Sequence, residues 1–355
     1  MLSTPIDPFL RVAFLAGVVA QVMTALLVIL IVAMRISLNR RQRRELQFTS
    51  HWRPVLMVAL VDPEDCELPA LPARDSISFL KLWNYLQESV RGEATDNLNQ
   101  VARRLDCGEL AKRLLRKGNR AERLLAILTL GNLRERESWA DLLSTAKSPD
   151  KVTSFNAARA LVKIDPMSGV AQLMPLVLAR QDWEISLAAR MLGDARAALR
   201  LFLNQGIDQL LVPELLRLLQ ILEALRVPMP NASWQLLLKP EQAPAVLAAA
   251  LRIAAADADL LDSVREHLDH PDWRVRSEAV RCLGRLAEPS DLPLLSGRLH
   301  DAEWWVRYHA AQALASLPFL GRDGFAALQS TVTDAAARQI LAQVSAERNL
   351  SSLSN

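Results

Sequence analysis

The chain has 355 residues, 51% of them hydrophobic and 23% charged, with 42 Lys and Arg against 39 Asp and Glu. A net charge of +3 excludes both a disordered, highly charged chain and a strongly basic nucleic-acid binder, so no nucleic-acid partner is expected. With 5% aromatics, only 12 Gly, and abundant Leu, Ala and Arg, the composition favours helices and argues against an all-β or doubly wound fold.

The first expected element follows a short N-terminus, residues 1–11. Residues 12–34 carry no charge across 23 positions, with Gln21 and Thr24 the clearly polar interruptions. As a helix this stretch is roughly 35 Å long, enough for a hydrocarbon layer of about 30 Å. A cleaved signal peptide would have a shorter apolar region, led by positive charge; here the arginines follow it. Arg35, Arg40, Arg41, Arg43 and Arg44 come directly after the span, against a single Arg11 before it. Because basic flanks are retained on the cytoplasmic side, the expected topology is a single pass, N-terminus out, with everything after residue 35 in the cytoplasm. The same arginines have two readings, a topology signal or a contact for anionic lipid headgroups.

Residues 35–75 read as a basic juxtamembrane segment and then an irregular linker, since 51–75 contains Pro54, Pro63, Pro69 and Pro72 among acidic residues. Residues 76–100 begin with SISFLKLWNYLQESV, which puts Phe79, Leu82, Trp83 and Leu86 on one helical face. This is the expected cap for the first end of a repeat array, whose apolar end would otherwise face water. The last residues, 348–355, read as a disordered tail.

From 101 to 347 the chain repeats. LDHPDWRVRSEAVRCLGRL, from Leu268, lies on LHDAEWWVRYHAAQALASL, from Leu299, without a gap and 31 residues apart. The last leucine of the shared pattern recurs as Leu130, Leu161, Leu192, Leu222, Leu251, Leu283 and Leu314. Four residues earlier stands an alanine in five of the seven: Ala126, Ala157, Ala188, Ala279 and Ala310. Spacings of four place these residues on one helical face, and the small middle residue admits a neighbouring helix closely. Turn signals at Ser148-Pro149-Asp150, Asp165-Pro166, His270-Pro271-Asp272 and Glu288-Pro289-Ser290 divide the helices. About 31 residues accommodate two helices and two short turns, and such a hairpin buries its apolar face only by stacking on its neighbours. The expected fold is all-α: a right-handed α-solenoid with one N-terminal transmembrane helix.

The stretches DWRVRSEAVRCLGRL and EWWVRYHAAQALASL resemble the HEAT repeat in its short bacterial form, also called the PBS-lyase HEAT-like repeat. NAARALVKI (156–164) keeps the alanines and the leucine but has Thr153-Ser154 in place of Val-Arg, and the units around Leu222 and Leu251 lack the small residues. A single span ahead of such repeats resembles bacterial membrane-anchored HEAT repeat domain-containing proteins. The resemblance implies a protein-interaction scaffold at the bacterial inner membrane. It also implies that Arg276 and Arg307 pair with acids of a neighbouring unit, with Asp272, Asp301 and Glu303 within reach of such a ladder.

No phosphate-binding glycine loop, HExxH, GxSxG or EF-hand pattern occurs in the sequence. Cys66, Cys107 and Cys282 are too dispersed for a disulfide framework or a metal pair. His267 and His270 are three apart but lack further ligands at zinc spacing, and Pro271 ends the helix behind them. No metal, cofactor or catalytic residue is therefore assigned. Trp273 and Trp304 recur at one repeat position and are expected to pack, whereas the adjacent Trp305 should point elsewhere. Trp304, Trp305, Arg307, Tyr308 and His309 form the candidate partner-binding patch, with a capped core as the competing reading. The leading function is a non-enzymatic scaffold for a protein partner, joined to the bilayer through residues 12–34. The alternatives are a phycobilin-lyase-like repeat protein and an accessory subunit of an envelope or exopolysaccharide glycosyltransferase system.

Overall fold

The computed structural model describes residues 8–64, 66–254 and 258–353, which fall into two compact units, 1–138 and 139–355. Among the described residues the regular structure is helical throughout.

The first unit contains α1 (Pro8–Ala59), α2 (Ser76–Ser89), α3 (Glu93–Arg104), α4 (Cys107–Lys117) and α5 (Arg120–Leu133). Within α1, the 20-residue stretch Gly17–Ile36 is long and apolar enough to cross a membrane and is not covered by the rest of the protein. Residues 1–7 of the expected N-terminus lie outside the described residues; 8–11 already belong to α1.

The expectation of irregular chain from residue 51 is corrected, because α1 continues through Pro54 to Ala59. Pro54 contributes no N–H to the helix, yet burial of one face of the last turns outweighs that loss. Trp52, Leu56 and Ala59 are buried with Phe79, Leu80 and Trp83 of α2, and the Trp52 and Phe79 rings meet edge to face at 4.9 Å. The expected single cap is also corrected to two helices, α2 and α3, separated at Gly92, where a φ of 66° suits a residue without Cβ.

A buried amide network ties three of these helices together. Asn84 donates to Thr129 Oγ1 (2.9 Å), Asn132 to Asn84 Oδ1 (2.6 Å), Asn99 to the Asn132 carbonyl (3.1 Å) and Gln87 to Asn99 Oδ1 (2.8 Å). Such groups are tolerated in a core because most of their polar atoms satisfy one another, although Gln87 Oε1 is left without a partner among the described residues.

The second unit is a succession of helix pairs: α6 (Trp139–Ala146) with α7 (Lys151–Ile164), α8 (Pro166–Ala179) with α9 (Ile185–Gly193), α10 (Arg196–Asn204) with α11 (Val212–Leu225), and α12 (Asn231–Leu237) with α13 (Pro244–Ala254). It continues with α14 (Leu261–Glu266) and α15 (Trp273–Leu286), α16 (Leu292–Gly297) and α17 (Trp304–Ser316), and α18 (Gly321–Thr331) and α19 (Ala335–Leu353). The second helices of successive pairs, α7 through α19, pack one on the next. In this unit Leu161, Leu192, Leu222, Leu251, Leu283 and Leu314 are completely buried, as is Leu130 in the first unit. The alanines four residues before them, Ala157, Ala188, Ala279 and Ala310, are equally buried.

Turn aspartates start the helices as the sequence suggests. Asp150 caps α7, Asp165 caps α8 with Pro166 at its first position, and Asp272 caps α15. The reading of 348–355 as disordered is corrected to helix as far as Leu353; residues 354 and 355 lie outside the described residues.

Candidate interaction surface

Helix α17 opens with Trp304 and Trp305, and the expectation that Trp304 packs into the core is corrected: it is 38% exposed, beside Trp305 at 49%. Trp273, at the same position one repeat earlier, is likewise outside the fully buried core and only partly covered. Where the preceding repeat has the buried Ser277, this one has Tyr308, and Trp304 stacks on the Tyr308 ring at 4.9 Å and an interplanar angle of 11°. Trp305 meets Trp304 edge to face at 4.8 Å and lies 5.9 Å from the His309 ring. The Tyr308 hydroxyl donates to Glu347 Oε2 of α19 (2.8 Å) and accepts from Gln312 (2.9 Å), which fixes the platform from beneath. The carboxylate of Glu347 raises the Tyr308 pKa above its ordinary value.

The five residues of the expected patch therefore divide. Trp304, Trp305, Tyr308 and His309 form one aromatic group. His309 is its half-buried edge, with Nδ1 2.7 Å from Ser277 Oγ. Burial, followed by the charge of Arg281, pushes the His309 pKa down to about 4, so the ring is neutral at physiological pH.

Arg307 turns away from the group, donating from Nη1 to the carbonyls of Asp301 and Ala302 (2.8 Å each). Arg276 does the same one repeat earlier, to His270 and Pro271, and also makes a paired contact with Asp301 at 2.8 and 2.7 Å. The acid ladder thus has its rung at Arg276. For Arg307 the corresponding position, 31 residues beyond Asp301, is Val332, and Arg307 Nε is buried without an acceptor among the described residues.

The other chemistry-bearing side chains are engaged in packing. His267 Nε2 lies 2.9 Å from the Leu238 carbonyl, and His270 Nδ1 accepts from the Asp272 N–H (3.0 Å). All three cysteines are buried, and burial raises the Cys107 and Cys282 thiols to about 12, which keeps them protonated. Among the described residues no group of three or more His, Cys, Asp or Glu is arranged to hold a metal ion. Arg35, Arg40, Arg43 and Arg44 are exposed along α1; the Arg41 side chain lies outside the described residues.

A second concavity, of about 860 Å3, lies in the second unit where α11, α13 and α15 end, against the turn around Pro228. It is lined by Arg226, Arg252, Arg281 and Arg285 together with Trp234. Sequence reasoning missed it because these residues come from four separate segments with no shared spacing. Their only sequence signal is arginine recurring near the ends of successive second helices.

The model of the HEAT repeats family matches residues 109–193 and 233–315. Both stretches are thus similar to HEAT repeats, and together they make up just under half of the chain. Among solved structures it is similar to an engineered protein, with 16% identity, 82% of this chain and 92% of the other covered, and a TM-score of 0.34. It is also similar to human deoxyhypusine hydroxylase in complex with glycerol, with 15% identity, 77% and 97% covered, and a TM-score of 0.25. No curated protein matches the sequence.

Proposed function

We propose that this chain is a non-enzymatic scaffold of the bacterial cytoplasmic membrane: a right-handed α-solenoid of HEAT repeats, anchored by α1, that takes a protein partner on the aromatic face of α17. The observation that carries the partner-binding reading is the Trp304, Trp305 and Tyr308 group, held outside the core by stacking and by the Glu347 hydrogen bond. Trp and Tyr held rigidly at a surface lose little entropy on binding and are enriched where alanine substitution weakens complexes most. The anchoring is supported by the uncovered apolar stretch Gly17–Ile36 and the arginines at and beyond its end, which favour a cytoplasmic location for the repeats. A scaffolding role agrees with histidines and thiols that serve packing.

The test is site-specific photocrosslinking in the source cells. A benzophenone side chain at 305 should yield a discrete adduct, and Trp304→Ala should reduce its yield at least tenfold. A probe at Leu201, which is also exposed, should yield none. Equal adducts from both positions, or none from 305, would remove the partner-binding reading.

A further inference from the structure

The concavity at the ends of α11, α13 and α15 has features that packing alone does not require. Arg252 is shared between Glu223 and Glu278 at 3.7 Å each, and Arg281 also pairs with Glu278 at 3.1 Å. Arg226 and Arg285 line the same space and are exposed, and among the described residues neither has a carboxylate partner. Arginines near helix C-termini offset the negative end of the helix dipole, which explains their placement. It does not explain a concavity open between them.

A second, independent observation comes from Trp234, which lines this space and is 3% exposed. Its indole N–H is buried and has no acceptor among the described residues. A buried donor without an acceptor is costly, so the wall of this concavity includes a polar group that the fold itself leaves unsatisfied. The remaining wall is apolar, formed largely by Val227, Met229 and Ile253.

We infer that this concavity is a second binding site, for an acidic peptide segment whose carboxylates meet Arg226 and Arg285 and whose apolar side chains lie along Met229 and Ile253. Guanidinium groups bind carboxylates through paired, charge-assisted hydrogen bonds. Glu223 stands within the site and repels the concentrated charge of a polyphosphate, while an extended peptide can place its carboxylates away from it. The apolar wall gives a peptide side chain a contact that an inorganic anion lacks. This site does not depend on the aromatic face of α17 being a partner surface.

The experiment uses the full chain in nonionic detergent and fluorescence anisotropy with a fluorescein-labelled hexapeptide of alternating glutamate and leucine. That probe should bind at least tenfold more tightly than its glutamine counterpart. Arg285→Glu should weaken it tenfold or more with an unchanged circular dichroism spectrum. Arg226→Gly, which places glycine where φ is 51°, removes a charge without straining the turn and should weaken it severalfold. Trp305→Ala should leave the affinity as it was. Equal binding of the two peptides, insensitivity to both arginine substitutions, or loss of binding in Trp305→Ala would overturn the assignment. Pyrophosphate binding at this site while the glutamate peptide does not would also overturn it.

Discussion

His309 shows how a side chain at the edge of the candidate surface couples stability to pH. Burial lowers its pKa to about 4, against about 6.5 for an unfolded histidine. Between those values the unfolded chain holds a proton that the folded chain does not, so stability is complete above pH 6.5 and falls as the pH drops towards 4. Discounted for its partial exposure, the effect is on the order of 2 kcal/mol. Urea titrations of the wild type and His309→Gln should therefore converge or cross on acidification from pH 7.5 to 4.5, the wild type losing more. A constant difference between the two curves would show that the ring is not held neutral.

Arg276 and Arg307 form a natural pair of controls for each other. Burial alone would raise the Asp301 pKa, but the Arg276 hydrogen bonds and the Glu303 N–H outweigh it and hold the carboxyl below its ordinary range. Arg276→Ala strands that carboxylate and should cost about 3 kcal/mol, whereas Arg307→Ala loses only bonds to carbonyls and should cost about 1 kcal/mol. Chemical denaturation of the two variants in parallel measures the difference, and equal losses would mean that the Asp301 rung adds nothing.

Between elements, the close approach of α15 and α17 depends on Gly284. A Cβ there would collide with Ala313 Cβ and lie 3.0 Å from its Cα, so the two helices would have to separate. Gly284→Ala should destabilise the second unit by about 2 kcal/mol, despite the higher helix propensity of alanine. A rise in thermal midpoint would show that the contact has room to give.

The repeat was legible because every return of the pattern buries the same face. Leu283 and Leu314 occupy equivalent places, and even Leu222 and Leu251, without their alanines, are completely buried. The helical nature of 51–59 was hidden by Pro54, whose local cost is outweighed by the distant contact of Trp52 with Phe79. The candidate surface was legible in part. Adjacent tryptophans signal a departure from a repeat position, but the stack of Trp304 on Tyr308 and the hydrogen bond from Tyr308 to Glu347 of α19 lie outside the repeat pattern. The arginine-lined concavity was not legible, because it is formed by proximity in space without periodicity in sequence.

For the molecule as a whole, the proposed anchoring predicts an orientation, and the native thiols are poorly suited to reporting it. Cys66, Cys107 and Cys282 are all buried, and Cys107 and Cys282 are held protonated, so none is a useful target for a maleimide. Introduced cysteines avoid this. Val61 is 85% exposed in the first unit and Leu211 69% exposed in the second, so Val61→Cys and Leu211→Cys should react fully in lysate. In intact cells a membrane-impermeant maleimide should leave both unlabelled and modify Ser3→Cys, the position ahead of the span. The basic flank gives this its direction: carrying Arg35, Arg40, Arg43 and Arg44 across the bilayer is far costlier than carrying the N-terminus. Labelling at 61 and 211 in intact cells would reverse the proposed topology and put the repeats, with both candidate surfaces, on the outer side. Recovery of the chain in the supernatant after carbonate washing would instead remove the anchor and leave the repeats as a free scaffold.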